Sequence, residues 1–376
     1  MSTPAESSSW LRPSLNWLVA ALPVAFALRY VPAWHNETAL FICSALAIIP
    51  IAGWMGHATE QLAHRLGEGI GGLLNASFGN AAELIIALMA LRAGHIEVVK
   101  ASITGSIIGN LLLVLGVSVF AGGLRFREQR FNKTAARSSC TALILAAAAL
   151  VIPTVFHQAA AQRPGGWTPA AEQNLSLAIA VVLLATYGAM LVFSLVTHKQ
   201  LFVGQDSAGG ADDDDAHAEK PWPVGRAVGV LLGATALVAW VSEFLVGAVE
   251  AAQHSLGVTE TFVGVIIVAV VGNAAEHSTA VTMALKNKMD LALGIAVGSS
   301  LQIALFVAPV LVFSSYLFPH QLSLEFTIPE VVAVVIAAFV TDQIAGDGES
   351  NWLEGVQLLA LYAILAVLFY FLPALS

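Results

Sequence analysis

The pentapeptide Gly-Asn-Ala-Ala-Glu occurs at residues 79–83 and again at 272–276, each time inside a long apolar stretch. A charged side chain at mid-bilayer costs at least about 2.5 kcal/mol on insertion scales, so Glu83 and Glu276 each require a proton or a cation to neutralise them. Gly79 and Gly272 stand four residues before the acids, where they can loosen a helix and turn carbonyl oxygens towards a bound ion. Asn80 and Asn273 precede the acids by three residues and so share their helical face. Further on, GSIIGN (105–110) puts Ser106 with Asn110 on one face, and GSSLQI (298–303) does the same for Ser299 and Gln302. Every atom in this set that could hold a metal is oxygen. Calcium takes about six to eight oxygens, whereas magnesium demands an octahedron and keeps its waters. No His/Cys cluster at this place suits zinc or copper. Each acid has a plainer alternative as a helix-packing residue, and each amide as an interhelical hydrogen bond or a brace for a broken helix. His277 follows Glu276 directly and points about 100° away on a helix, which suits a proton relay or a structural hydrogen bond better than ligation.

These residues must be held by helices in a membrane. Apolar residues make up 57% of the 376 positions and charged residues 11%, against about 25% charged in soluble domains. The composition therefore predicts an all-α integral membrane protein. A window of about 20 residues finds about eleven transmembrane helices, near 14–32, 38–56, 72–92, 101–121, 138–157, 173–196, 226–247, 261–285, 291–314, 327–345 and 353–373. The first, preceded by Arg12, could instead be read as a secretory signal, but its basic flank is thin and no small-residue cleavage site is clear. Cys43 and Cys140 fall within spans and give neither a disulfide framework nor a metal-ligand spacing. A net charge of −9, with basic residues scattered over short loops, argues for no nucleic acid partner.

With the N-terminus in the cytoplasm, twelve of the sixteen Lys and Arg lie on the inner side, leaving only Arg29, Arg92, Lys100 and Arg163 at outer ends. The positive-inside rule thus predicts N-in and C-out. ATEQLAHRLG (58–67) pairs with AVEAAQHSLG (248–257), keeping Glu60 with Glu250 and His64 with His254. A single offset of 193 pairs Gly79 with Gly272, Glu83 with Glu276, Gly105 with Gly298 and Ser106 with Ser299. Anchors in the same order argue for an internal duplication. The expected organisation is one N-terminal helix (1–36), a first five-helix repeat (37–197), an acidic cytoplasmic linker (198–224) and a second five-helix repeat (225–376). An odd number of spans per unit inverts the second relative to the first, the arrangement of secondary transporters that bind ions at mid-membrane.

Two carboxylates in a poorly hydrated site repel each other unless protons or a cation sit between them. A pair that holds protons or one divalent cation, but not both, supplies the exclusion on which antiport depends.

The stretches 79–116 and 272–309 resemble the two signature regions of the cation/proton exchanger family in the calcium/cation antiporter superfamily, and the likeness extends over nearly the whole chain. The acidic run Asp212–Asp215 resembles the segment joining the two halves in that family. The resemblance implies that Glu83 and Glu276 are the ion-binding and proton-carrying acids. It further implies a regulatory first span, two inverted five-helix bundles and exchange of calcium for protons, with calcium a transported substrate and no cofactor. A sodium/calcium or other divalent cation exchanger of the same superfamily is the alternative.

Other features carry plainer readings beside sharper ones. Glu60, Glu250, His64 and His254 sit near span ends, as cation-gathering entrances or as wet helix caps. The tetra-aspartate is a solvated linker or a calcium sensor. The small residues of EGIGGLLNASFGN (68–80) allow close helix approach or a sliding interface. HATEQLAH (57–64) spaces its histidines seven apart, unlike a metal-hydrolase helix, so an enzyme is not expected, and the inverted pair of acids argues against a passive channel. Expected partners are calcium, protons and a lipid bilayer, with a homo-oligomer left open, and the expected location is the cytoplasmic (inner) membrane.

Overall fold

The computed structural model describes residues 15–66, 73–74, 77–163, 165–198 and 222–373. The acidic run Asp212–Asp215, most of the linker, Gly67 to Gly72 and the side chain of His64 lie outside the described residues.

The described residues are almost entirely helical, as membrane-spanning segments must be where no water is present to satisfy backbone groups. In order the helices are α1 (Leu15–Tyr30), α2 (Glu37–Leu66), α3 (Ala81–Ala93), α4 (Ile96–Arg125), α5 (Lys133–Ala161), α6 (Pro169–Thr197) and α7 (Val224–Gly247). Then follow α8 (Val249–Leu256), α9 (Glu260–Gly272), α10 (Ala274–Leu285), α11 (Met289–Ser315), α12 (Ile328–Ala345) and α13 (Trp352–Phe371). Among the described residues eight helices are long and apolar enough to cross a membrane singly, or nine if the bent pair α8 and α9 is one span. Polar caps start several of them. Asn132 accepts from the amides of Thr134 and Ala135 at the head of α5, and Thr327 with Glu330 and Asn351 with Glu354 form capping boxes on α12 and α13. Such caps satisfy orphan amides where the chain leaves the apolar layer.

Burial sorts the helices by task. In α4 and α11, 72% of the apolar window is buried, against 17% in α6 and 22% in α13. The first two are therefore interior walls and the latter two face outwards. Two packed cores result. One joins Phe41, Ile48 and Met55 of α2 to Val238, Val241 and Phe244 of α7. The other joins Ile107, Leu111 and Leu115 of α4 to Leu301, Leu305 and Leu311 of α11.

Loops meet at two ends. At one, strands β1 (Gln129–Arg130) and β2 (Glu349–Ser350) pair antiparallel, with Gln129 opposite Ser350. Gln129 Nε2 there donates to the carbonyl of Ala284 (2.8 Å) and to Asn287 Oδ1 (3.1 Å), and the Asn132 amide donates to Asp290 Oδ1 (2.6 Å). At the other end, Lys100 pairs with Glu325 (3.2 Å), His95 with Glu260 (3.7 Å), and Thr38 shares a hydrogen bond with Ser255 (2.7 Å).

Among the described residues four π-helical segments interrupt the regular ladder, at Gly109–Val114, Phe193–Thr197, Val263–Val268 and Ile303–Val307. Such segments are frequent at functional sites. Three of the four lie in α4, α9 and α11, the helices that enclose the two acids.

Candidate ion site

Both copies of the repeated pentapeptide break a helix. Gly79 and Asn80 form a turn before α3 begins at Ala81, and α9 ends at Gly272 so that α10 starts afresh at Ala274. Glu83 and Glu276 therefore stand in the first turns of α3 and α10, where the helix dipole favours negative charge. Glycine at 272 also permits close approach, since a Cβ there would lie 3.0 Å from Glu83 Cγ.

A cavity of about 1190 Å³ opens between the two cores, and both acids line it. Gly79, Gly272, Ser299 and Gln302 share the wall with them. The cavity reaches the end of the bundle that carries the β1–β2 pairing, because Phe131, Asn132 and Asp290 line its outer part. Glu83 Oε2 and Glu276 Oε2 are buried and have no hydrogen-bond partner. Leaving a buried charged oxygen unpaired is costly, so each acid calls for a proton or a cation beside it. The oxygens available to a calcium ion are those of the two carboxylates, Ser299 Oγ, Gln302 Oε1, the carbonyls at the two helix breaks and water, enough for a shell of about six to eight.

The remaining candidates lie behind this wall. Asn80, Asn273, Ser106 and Asn110 are buried and are joined in a network. Asn80 donates to Gln302 Oε1 (2.5 Å), Ser299 donates to Asn80 Oδ1 (2.9 Å), and Asn110 donates to both Ser299 Oγ (2.9 Å) and Asn273 Oδ1 (3.1 Å). Asn273 Nδ2 in turn donates to Ser106 Oγ (3.0 Å) and to the carbonyl of Ala269 (2.8 Å). These four residues hold the broken ends against α4 and α11. His277 does not line the cavity, and its imidazole makes no hydrogen bond or ion pair to a described residue.

Several polar residues at the site escaped the sequence reading, among them Asn16, Ser139, Ser278 and Thr279 on the cavity wall. Asp290 and Asn132 line the cavity mouth. The only sequence signal was that each stands near a helix start, which is equally true of ordinary caps. Ser102 lies beside Glu83 on the side away from the mouth. Its signal was the spacing of four from Ser106 and of eight from Asn110 along one face of α4. Glu60 lines the mouth with His57, 3.7 Å from it, whereas Glu250 is in α8 and does not line the cavity.

The chain matches the sodium/calcium exchanger protein family over residues 36–196 and 226–371. It is 47% identical over 374 residues to the Ca²⁺/H⁺ antiporter of Synechocystis sp., covering 95% of this chain and 97% of that protein. It is also 47% identical over 359 residues to the Ca²⁺/H⁺ antiporter ChaA of Bacillus subtilis, covering 94% of this chain and 98% of the relative. Among solved structures, native YfkE is 43% identical with a TM-score of 0.80, covering 96% of this chain and 100% of that one. The H⁺/Ca²⁺ exchanger CAX, at 14% identity and a TM-score of 0.67 over 95% of this chain and 91% of its own, shares the fold.

Proposed function

Because the chain belongs to the sodium/calcium exchanger protein family, we propose that it is a secondary transporter that exchanges calcium for protons, with both ions competing for Glu83 and Glu276. The observation that carries this reading is the pair of partnerless carboxylate oxygens, one from each copy of the same pentapeptide, on the wall of one cavity. Two protons or one calcium ion neutralise the two acids equally, and neither loading leaves room for the other. The Ca²⁺/H⁺ antiporters at 47% identity favour calcium as the exchanged cation.

The architecture that suits this task is one N-terminal helix (1–36), two inverted five-helix repeats (37–197 and 225–376) and the linker 198–224 between them. Supporting it, the break before Glu83 and the break before Glu276 are alike, and the π segments of α4 and α11 overlap at the repeat offset. Helix α8 is bent by 108° from α9, and eight residues reach only about 12 Å. It therefore runs across the end of the bundle, and α9 with α10 makes one interrupted span, bringing the total to eleven. The ligands in this reading are Glu83, Glu276, Ser299, Gln302 and the carbonyls of Gly79 and Gly272. Asn80, Asn273, Asn110 and Ser106 position them, and His277 relays protons at most through water. The concentration of Arg and Lys at the cavity end favours a cytoplasmic face for that end, and in this reading the state described is open inwards.

The test is calcium affinity measured across roughly pH 5 to 9. Competition requires the affinity to rise as protons leave, and an affinity flat across that range removes it from the mechanism. The family's description as sodium/calcium exchanger proteins keeps sodium as a second driving ion in view. Calcium uptake into vesicles driven by a sodium gradient at constant pH, with none driven by a pH gradient, would establish that alternative.

A further inference from the structure

Exchange between two sides needs a second way out, and the contrast between α4 and α11 indicates where it runs. The two helices are counterparts at the offset of 193, yet their surroundings are opposite. On α11, Gly294 and Gly298 line the cavity, and a Cβ on either would meet nothing within 4 Å. Their counterparts on α4 are Ala101 and Gly105, and the backbone of α9 is seated directly on them. A Cβ on Gly264 would stand 2.5 Å from Ala101 Cβ, 2.9 Å from the Val98 carbonyl oxygen and 3.1 Å from the Ser102 nitrogen. A Cβ on Gly105 would run into the backbone of Val265.

This seam has the properties of a closure that can part. Among the described residues no side-chain hydrogen bond joins Val98–Gly105 to Val263–Val268; Ser102 and Thr104 bond back to α4 carbonyls, and Thr104 also to Glu330 of α12. Glycine against backbone gives close dispersion contact without interlocked side chains, and in a bilayer no hydrophobic force adds to it. At its rim lies the ion pair of His95 with Glu260. Beside the seam a void of about 10 Å³ persists, lined by Glu83, Ser102 and Ser106 together with apolar residues. It has roughly the room of one water, at the side of Glu83 away from the cavity mouth.

We propose that Val98, Ala101, Ser102 and Gly105 form the wall of the cation's route to the far end of the bundle, closed in this state by Gly264 and Val265. Ser102 Oγ is then the next oxygen that a calcium ion meets beyond Ser106. The inference rests on the exchange reading for the need of a second opening, but its test does not depend on which ion is carried.

The experiment uses the full chain in proteoliposomes with Cys43 and Cys140 replaced by alanine and Ser102→Cys introduced. A membrane-impermeant maleimide is the probe, and Ala146→Cys, buried in α5, is the control. With Gly264 intact and no gradients, labelling of Ser102→Cys should be slow. Adding Gly264→Ala, whose methyl does not fit the closed seam, should raise the labelling rate roughly tenfold or more by shifting the population to the open form, leaving Ala146→Cys unchanged. Opposed calcium and pH gradients acting on the protein with Gly264 intact should also raise it, which decides the matter if Gly264→Ala does not fold. Labelling of Ser102→Cys as slow as that of Ala146→Cys under every condition overturns the proposal. Faster labelling under the opposed gradients in the protein with Gly264 intact, when that same protein moves no calcium against protons, would instead overturn the exchange reading and leave the route standing.

Discussion

Asn110 of α4 donates a 3.1 Å hydrogen bond to Asn273, which sits at the break between α9 and α10, and a 2.9 Å bond to Ser299 of α11. One amide thus ties together three of the helices around the acids. It lies off the cavity wall, whereas Gln302 lies on it.

That division separates two variants. Asn110→Ala leaves buried acceptors unpaired and should cost about 1–3 kcal/mol of stability, seen as a lowered Tm in detergent at saturating calcium. Gln302→Ala exposes its former partner to the cavity, so it should lower Tm less while weakening calcium binding more. Equal losses of Tm in the two variants would remove the distinction between brace and ligand.

Gly272 touches Glu83, and a methyl there would stand 3.0 Å from Cγ and 3.5 Å from Oε1. The side chain can rotate away, at about 0.5–1.5 kcal/mol for a strained rotamer. Gly272→Ala should therefore fold and keep its Tm within a few degrees, yet bind calcium roughly three- to tenfold more weakly. Isothermal titration with calcium checks this, and an unchanged affinity would mean that Glu83 is not held in place by Gly272.

Most of the helical architecture was legible because apolar length is a strong signal in a chain with few charges. The breaks were legible because glycine and asparagine precede a carboxylate twice in the same order. The distinction between wall and brace was not, since Ser299 and Ser106 have the same residue type and the same place in their motifs. Only the tertiary arrangement turns Ser299 to the cavity and leaves Ser106 behind it, in a state where α11 borders open space and α4 is covered. The bend between α8 and α9 was also hidden. Its signal is Gly257, left-handed at φ +66°, which ordinary turns share.

At the cavity end, a hydrogen bond to Glu128 raises the Glu349 carboxyl above its ordinary range, against the pull of Arg130. A raised value in the folded state means that the contact stabilises below the ordinary carboxylate range and is lost as pH rises through the raised value. At neutral pH the two acids repel across the β1–β2 pairing, with Arg130 at 3.1 Å from Glu128 and 3.3 Å from Glu349. Glu349→Gln keeps a hydrogen-bond donor at every pH. Its Tm should exceed that of the parent at neutral pH and match it in acid. A lower Tm at neutral pH would show that the Arg130 pairing outweighs the repulsion.

The two acids themselves should oppose function to stability. On the proposed reading, the partnerless oxygens of Glu83 and Glu276 carry uncompensated charge without calcium at alkaline pH, and replacing either by glutamine removes one charge with little change of shape. Glu83→Gln and Glu276→Gln should each raise Tm under those conditions while abolishing exchange, the trade expected of a site kept strained for function. Calcium reverses the order, because binding to the folded state alone adds about 2.7 kcal/mol at a hundredfold excess over Kd, and only the parent can gain it. Thermal unfolding with and without calcium reads both effects on one sample. If either variant is less stable than the parent without calcium, or still gains Tm when calcium is added, that carboxylate is part of the scaffold, and the ion is held elsewhere.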